Sequence, residues 1–248
     1  MKQLINAIRK GQGIKKLVFI HGSLASAKWW QPVMNALDTE FEMLAVDLKG
    51  FGDSPDASDQ VTLADHAREI HDLAKATGFE QFIIIGHSLG GGVAMQFAAD
   101  YPELLTGMVL VDSTPIGGIQ GIDYSIIQRV VNNKELAMDM LKATLIKALD
   151  EGFLIELLAD GVRAVPALIP NTRALEAGDF TAKAPDFYKP VLVIHGELDV
   201  LISAAESEKA ASLYPHADFK VIPEVGHNPQ VEAPDTFISI LRDFVNKL

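Results

Sequence analysis

Residues 82–94, from Phe82 to Ala94, read Phe-Ile-Ile-Ile-Gly-His-Ser-Leu-Gly-Gly-Gly-Val-Ala. The apolar run Phe82–Ile85 suits a strand covered on both faces, and a helical pattern follows from Val93 to Tyr101. Between them, Gly86-His87-Ser88-Leu89-Gly90 places a serine on a sharp strand-to-helix turn, the context that a nucleophile elbow requires. The reason is steric. Such a turn strains the serine backbone and leaves no room for side chains on either side, hence Gly86 and Gly90. Gly91, Gly92 and Ala94 let the helix approach the strand closely. The start of the helix also directs free N–H groups toward a developing oxyanion. A glycine-rich turn with an incidental serine has the same five letters, but not a strand and a helix in register with them.

Outward from this stretch, similar apolar runs recur at Leu17–Ile20, Met43–Val46, Met108–Val111, Val191–Ile194 and Phe219–Ile222. They read as parallel strands buried on both faces. The segments between them are helical. In Leu63–Thr77, for example, Leu63, Ala67, Ile70 and Ala74 share one face, Thr62 with Asp65 forms a cap, and Gly78 is a stop. This alternation predicts an α/β fold, a mostly parallel open sheet with helices on both faces. Leu4–Ile8, followed by Lys10-Gly11-Gln12-Gly13, predicts a short antiparallel hairpin at the edge.

The alternation stops between Pro115 and Pro185, where no strand pattern occurs. Leu136, Met140, Leu141, Leu145, Ala148 and Leu149 form one amphipathic stripe, Phe153–Leu158 a second apolar helix, and Val165–Pro170 a break set by two prolines. The expected organisation is a core of residues 1–114 and 185–248 with a helical lid over residues 115–184.

Composition narrows the function. The 248 residues carry a formal net charge of -12, which repels nucleic-acid phosphates and anionic lipid, so neither is an expected partner. The absence of cysteine excludes disulfides, a cysteine nucleophile and thiolate metal sites. Met1 to Gly13 lacks the apolar core of a signal peptide, and no apolar run reaches membrane-spanning length. A soluble cytoplasmic protein is the expectation.

Taken with the Ser88 turn, four further segments resemble the α/β-hydrolase superfamily, in the right order over nearly the whole chain. His21-Gly22-Ser23 resembles its oxyanion element, and Asp47-Leu48-Lys49-Gly50-Phe51-Gly52-Asp53-Ser54 its Asp-x-Arg-Gly-x-Gly-x-Ser turn, with Lys49 where arginine is usual. His195-Gly196-Glu197-Leu198-Asp199 is similar to the segment bearing the family's acid, and Gly226-His227 to that bearing its histidine. The resemblance implies a Ser88, Asp199, His227 triad, with the backbone N–H groups of Ser23 and Leu89 as oxyanion hole. Asp112, which ends the strand Met108–Val111, is the rival acid, because some members carry the acid there.

A serine hydroxyl needs a base, and the base an orienting partner. Among the seven histidines, His66 and His71 lie in a helical pattern and read as a solvated face. His21 and His195 precede glycines at strand ends and read as structural. His87 adjoins the nucleophile, but neighbours on an elbow point apart. His216 reads as a surface turn. His227 follows the last strand and completes the order Ser, acid, His. Asp47 and Asp53 suit their own turn, and Trp29 and Trp30 suit core or lid packing.

The expected activity is hydrolysis of a carboxylic ester or lactone through an acyl-enzyme, with no metal or cofactor implied. The apolar lid points to an uncharged, partly apolar small-molecule substrate. Carbon–carbon bond hydrolases, cofactor-free haloperoxidases and amidases share the apparatus, and some members of the fold serve as small-molecule receptors. Ser88 argues against haloalkane dehalogenases and epoxide hydrolases, which use aspartate.

Overall fold

The computed structural model describes residues 3–248. Seven strands form one sheet: β1 (Ala7–Lys10), β2 (Lys15–Ile20), β3 (Phe41–Val46), β4 (Phe82–His87), β5 (Leu105–Val111), β6 (Val191–Gly196) and β7 (Ala217–Ile222). Their order is β1-β3-β2-β4-β5-β6-β7, parallel except for β1, which runs antiparallel to β3. The predicted edge hairpin is corrected accordingly. Its first arm lies at Ala7–Lys10 and pairs with β3 rather than with the strand that follows it. Local sequence marks the turn at residues 10–13 but not the partner, and the chain passes back across β3 to form β2.

Alternate residues of the inner strands face opposite layers. Leu17, Phe19, Ile83 and Ile85 pack with α1 (Gln31–Leu37), while Val18, Ile20, Phe82 and Ile84 pack with α2 (Leu63–Thr77) and α3 (Leu89–Asp100). All eight residues are at most 2% exposed, which accounts for runs without alternation. β7 is the exception, an edge strand with Lys220 and Val221 exposed. The helix α2 starts at the Thr62–Asp65 capping box and stops at Gly78 in the left-handed region. The elbow helix begins directly after the serine, at Leu89 rather than Val93.

Between β5 and β6 lie four helices, α4 (Tyr124–Val131), α5 (Lys134–Ala143), α6 (Glu151–Ala164) and α7 (Leu168–Glu176). The stripe predicted over residues 136–149 divides. The helix α5 ends at Ala143, and Leu145, Ala148 and Leu149 follow in irregular chain. The break at 165–170 is a short 3-10 turn, after which α7 resumes with Pro170 in its first turn, where no intrahelical N–H is required. The chain closes with α8 (Ala204–Leu213), the short α9 (Pro229–Glu232) and α10 (Pro234–Val245). The helix α10 joins α1 on one face through Phe237, Ile238 and Leu241, and α8 lies on the other. Among the described residues no helix is long and apolar enough to cross a membrane.

Candidate active site

The strand order reverses between β2 and β4, since the chain leaves β2 toward β3 and returns on the other side. In open α/β sheets the crevice at such a point, beyond the carboxyl ends of the strands, is where ligands bind. The loops after β2, β4, β5, β6 and β7 carry Ser23, Ser88, Asp112, Asp199 and His227, so all five residues emerge at the same edge.

Ser88 has φ 52° and ψ -116°, a conformation that costs about 1–3 kcal/mol. Neighbouring backbone holds it there. The Ser88 N–H donates to Val111 O at 3.1 Å, and Ser88 O accepts from Thr114 N–H at 3.1 Å. A side chain at Gly86 would overlap the carbonyl of Gly90, and one at Gly90 the carbonyl of Ile20. The strain is not confined to the serine. The described non-glycine residues with positive φ are Leu24, Ser88, Asp112 and Glu224, and all four lie in loops at this edge. Such clustering of strain is characteristic of functional sites.

His227 Nδ1 lies 2.7 Å from Asp199 Oδ2, and both side chains are at most 5% exposed. Asp199 Oδ1 accepts from the N–H groups of Leu201 at 2.7 Å and Ile202 at 3.2 Å. Burial opposes charge on Asp199. The hydrogen bonds from His227 and from those two amides outweigh it and hold the carboxyl below its ordinary value. An ionised Asp199 accepts a hydrogen bond from Nδ1–H, which leaves Nε2 as the basic nitrogen of the ring. Ser88 and His227 line one cavity of about 230 Å³, and among the described residues no hydrogen bond joins them.

Ser23 lines the same cavity, and Leu89 opens α3, where the first N–H groups have no preceding turn to satisfy them. Leu24, Trp29, Met140, Leu141, Leu168 and Leu201 form the apolar wall, so α5 and α7 of the insertion contribute to it. The polar lining groups are the serines, His87, Thr144, His227 and Asn228, with no carboxylate, lysine or arginine among them.

Asp112 is completely buried, with Oδ1 accepting from Gly196 N–H at 2.9 Å and 2.9 Å from His195 Nδ1. Among the described residues its Oδ2 has no hydrogen-bond partner. Burial, and then the charge of Asp199, push its carboxyl well above the usual range. Asp112 supports the Gly196–Asp199 turn, and the hydrogen-bonded carboxylate of His227 is Asp199: Gly196 gives its N–H to Asp112, and its carbonyl accepts from Asp199 N–H at 3.0 Å. Asp112, His195 and Asp199 bring ligand-type atoms within 4.8 Å of one another, but Asp199 is committed to His227, and His195 contacts Ser207 Oγ at 3.2 Å.

The other histidines divide differently from expectation. His66 is not solvated but fully buried, its Nε2 2.8 Å from Asn171 Oδ1 of α7. His71 is half-buried and stacked on Tyr101 at 4.5 Å. His87 does not point away from the site. It lines the cavity, packs 4.8 Å from the His227 ring and donates from Nε2 to His227 O at 2.8 Å. Burial, followed by the proximity of His227, lowers its pKa to about 3, so it is neutral at pH 7. His21 is structural, donating from Nδ1 to Gly22 O at 2.7 Å and accepting from Leu48 N–H at Nε2, at 3.1 Å. His216 is exposed.

Asp47 anchors its turn, accepting from Ala27 N–H at 2.7 Å and Asp53 N–H at 3.0 Å. Lys49 pairs with Glu69 at 2.6 Å. Trp30 lies in the core, 5.0 Å from Phe19 and 6.0 Å from Phe237, whereas Trp29 reaches the cavity wall.

The chain is 26% identical over 260 residues to 2-(acetamidomethylene)succinate hydrolase of Mesorhizobium japonicum, an alignment covering 98% of this chain and 91% of that protein. Among solved structures it superposes on a thermophilic esterase from Thermogutta terrifontis with a TM-score of 0.86 at 23% identity, covering 98% of this chain and 93% of the other. For the enol-lactonase from Burkholderia xenovorans LB400 the TM-score is 0.85 at 17% identity, covering 98% of this chain and 96% of the other. At these identities the structural likeness is one of fold. The family model covers most of the sheet and the loops at its edge: over residues 17–240 it matches, and the chain belongs to, the alpha/beta hydrolase family.

Proposed function

We propose that the protein is a serine hydrolase that cleaves a carboxylic ester or lactone through an acyl-enzyme. The observation that carries this reading is the 2.7 Å contact between His227 and a buried Asp199, opening on the same cavity as a serine held in a strained elbow. In this reading His227 Nε2 takes the proton of Ser88 as Oγ attacks the substrate carbonyl. The N–H groups of Ser23 and Leu89 receive the oxyanion, in a site where donors are already oriented. His227 then protonates the leaving alkoxide, and Asp199 stabilises the imidazolium formed in between. Water, deprotonated by the same nitrogen, adds to the acyl-enzyme. Collapse returns the proton to Ser88 and releases the acid.

The lining without lysine, arginine or carboxylate supports an uncharged, partly apolar substrate, and the volume of about 230 Å³ favours a small acyl group. The insertion acts here as the lid, supplying Met140, Leu141, Thr144 and Leu168. The similarity to an esterase and an enol-lactonase is compatible with this chemistry.

The test is steady-state hydrolysis of p-nitrophenyl esters of increasing chain length, and of lactones, by wild type and Ser88→Ala. Wild-type turnover is expected, greatest on short acyl chains, with a loss of about 10⁴-fold or more in kcat for the variant. Equal activity in both proteins overturns Ser88 as nucleophile. Inactivity of wild type on the whole panel overturns ester and lactone cleavage.

A further inference from the structure

The irregular segment after α5 is tied to the His227 loop by one buried side chain. Glu232, at the end of α9, is 7% exposed. Its Oε2 accepts from Ile146 N–H at 2.7 Å, Lys147 N–H at 3.0 Å and Gly226 N–H at 3.3 Å, and its Oε1 from Asn228 N–H at 3.1 Å. Two of these amides belong to the insertion, and two flank His227. A second set of bonds runs beside the first. Thr144 O accepts from His227 N–H at 3.2 Å and from Asn228 Nδ2 at 3.1 Å. Packing is close enough that a side chain at Gly226 would meet Ile146 Cγ1 at 2.8 Å, Thr144 O at 2.9 Å and Glu232 Oε1 at 3.0 Å. Met140, Leu141, Ala143 and Thr144, immediately before this junction, form part of the cavity wall.

We propose that Glu232 is a positioning residue that fixes His227 against the insertion, so that residues 144–147 are a fixed junction adjoining the cavity wall rather than a part of the lid that swings. The proposal rests on the serine-hydrolase reading for its kinetic consequence, though not for the linkage itself. Four backbone donors converge on one carboxylate, and two of them belong to the buried Gly226 and Asn228, where such groups are seldom left unpaired. Because the same carboxylate bonds both sides, loosening one side frees the other. The His227 ring inherits its place from a backbone held at 226, 227 and 228. Misplacement of a reacting group by about 1 Å is enough to cost about 10²-fold in rate.

The experiment compares wild type, Glu232→Gln and Glu232→Asp by steady-state kinetics on a short p-nitrophenyl ester and by amide hydrogen exchange. An amide in place of the carboxylate removes one acceptor oxygen and turns N–H groups toward the donors. In Glu232→Gln we expect kcat to fall by about 10²-fold with KM within about twofold. The amides of Ile146, Lys147, Gly226 and Asn228 are expected to lose protection together. Glu232→Asp keeps the acceptor on a shorter stem and is expected to recover part of kcat. Unchanged kcat overturns the proposal, as does a rise in KM alone or loss of protection on only one side of the junction. If Glu232→Gln does not fold, Glu232→Asp decides by the same measures. If wild type hydrolyses no ester, the serine-hydrolase reading fails separately, and the exchange data alone decide the linkage.

Discussion

The sheet and the helical insertion are held by different means. In the sheet, Leu17, Phe19, Ile85 and Val109 are completely buried among other apolar side chains, and no single contact decides where a strand lies. The insertion also contributes apolar residues such as Leu157 and Ala164, yet it leaves Ile126, Met140, Ile146 and Ile155 exposed. To this packing its docking adds a few buried polar contacts. Asp160 of α6 accepts from Ser26 Oγ at 2.7 Å and pairs with Lys28 at 3.2 Å, Asn171 of α7 meets His66, and Glu232 holds residues 146 and 147. Apolar packing tolerates substitution of similar volume, whereas a buried polar contact fails when one partner is removed. The sheet edge should therefore lose chemistry when changed, and the insertion should lose position.

The sharpest way to break this distinction is at the two carboxylates of the edge. Asp199→Asn is expected to lower kcat by about 10⁴-fold, because an amide no longer holds the His227 ring in its productive tautomer. Asp112→Asn keeps an oxygen for Gly196 N–H and resembles the protonated acid, so a loss below about tenfold is expected. Ester kinetics on the two variants decide the matter. The reverse order would make Asp112 the acid.

A smaller effect is expected where α6 meets the core. Asp160→Ala leaves Ser26, Lys28 and Arg163 without their shared partner, at a cost of about 2 kcal/mol. For a chain of this size that lowers Tm by about 4–8 °C, measurable by calorimetry. Activity on the shortest ester should persist while KM rises. A loss of kcat at unchanged KM would mean that the insertion acts on chemistry here too.

The smallest effect per step concerns pH. The His87 pKa falls from 6.5 to about 3 on folding, so between these values the unfolded chain binds the extra proton. The stabilisation is complete above about 6.5 and is lost as pH falls through this window, at up to about 1.4 kcal/mol per unit. Asp199, whose pKa is also lowered, adds a loss of the same sign at more acidic pH. Urea unfolding at pH 6.5 and pH 4 should show a shallower decline for His87→Asn than for wild type. Equal slopes would mean that His87 is not held neutral.

The same division explains what could be read from sequence. Strand runs such as Phe82–Ile85 announce themselves because burial on both faces leaves no polar interruptions. The glycines beside Ser88 announce the elbow because sterics admit nothing else. His66 was misleading, since it lies beside rather than on the stripe Leu63, Ala67, Ile70 and Ala74. It is buried only because α7, remote in sequence, covers it with Asn171. The sequence does not set α4 and α7 apart as separate elements, and its stripe runs on through Leu149 although the helix stops at Ala143. In each case a distant partner made the decision. Likewise nothing near Glu232 in sequence reveals that its oxygens reach residues 146 and 147.

Asp199 carries its own anchorage, since its Oδ1 accepts from the N–H groups of Leu201 and Ile202, while the exposed side chains of Val200 and Leu201 line the cavity. Backbone fixes the acid, and the side chains around it are left free to vary. A mutational library at 200 and 201 is therefore expected to shift substrate preference without disturbing the Asp199–His227 contact. Over evolutionary time the same loop offers a route by which one reaction mechanism acquires many substrates.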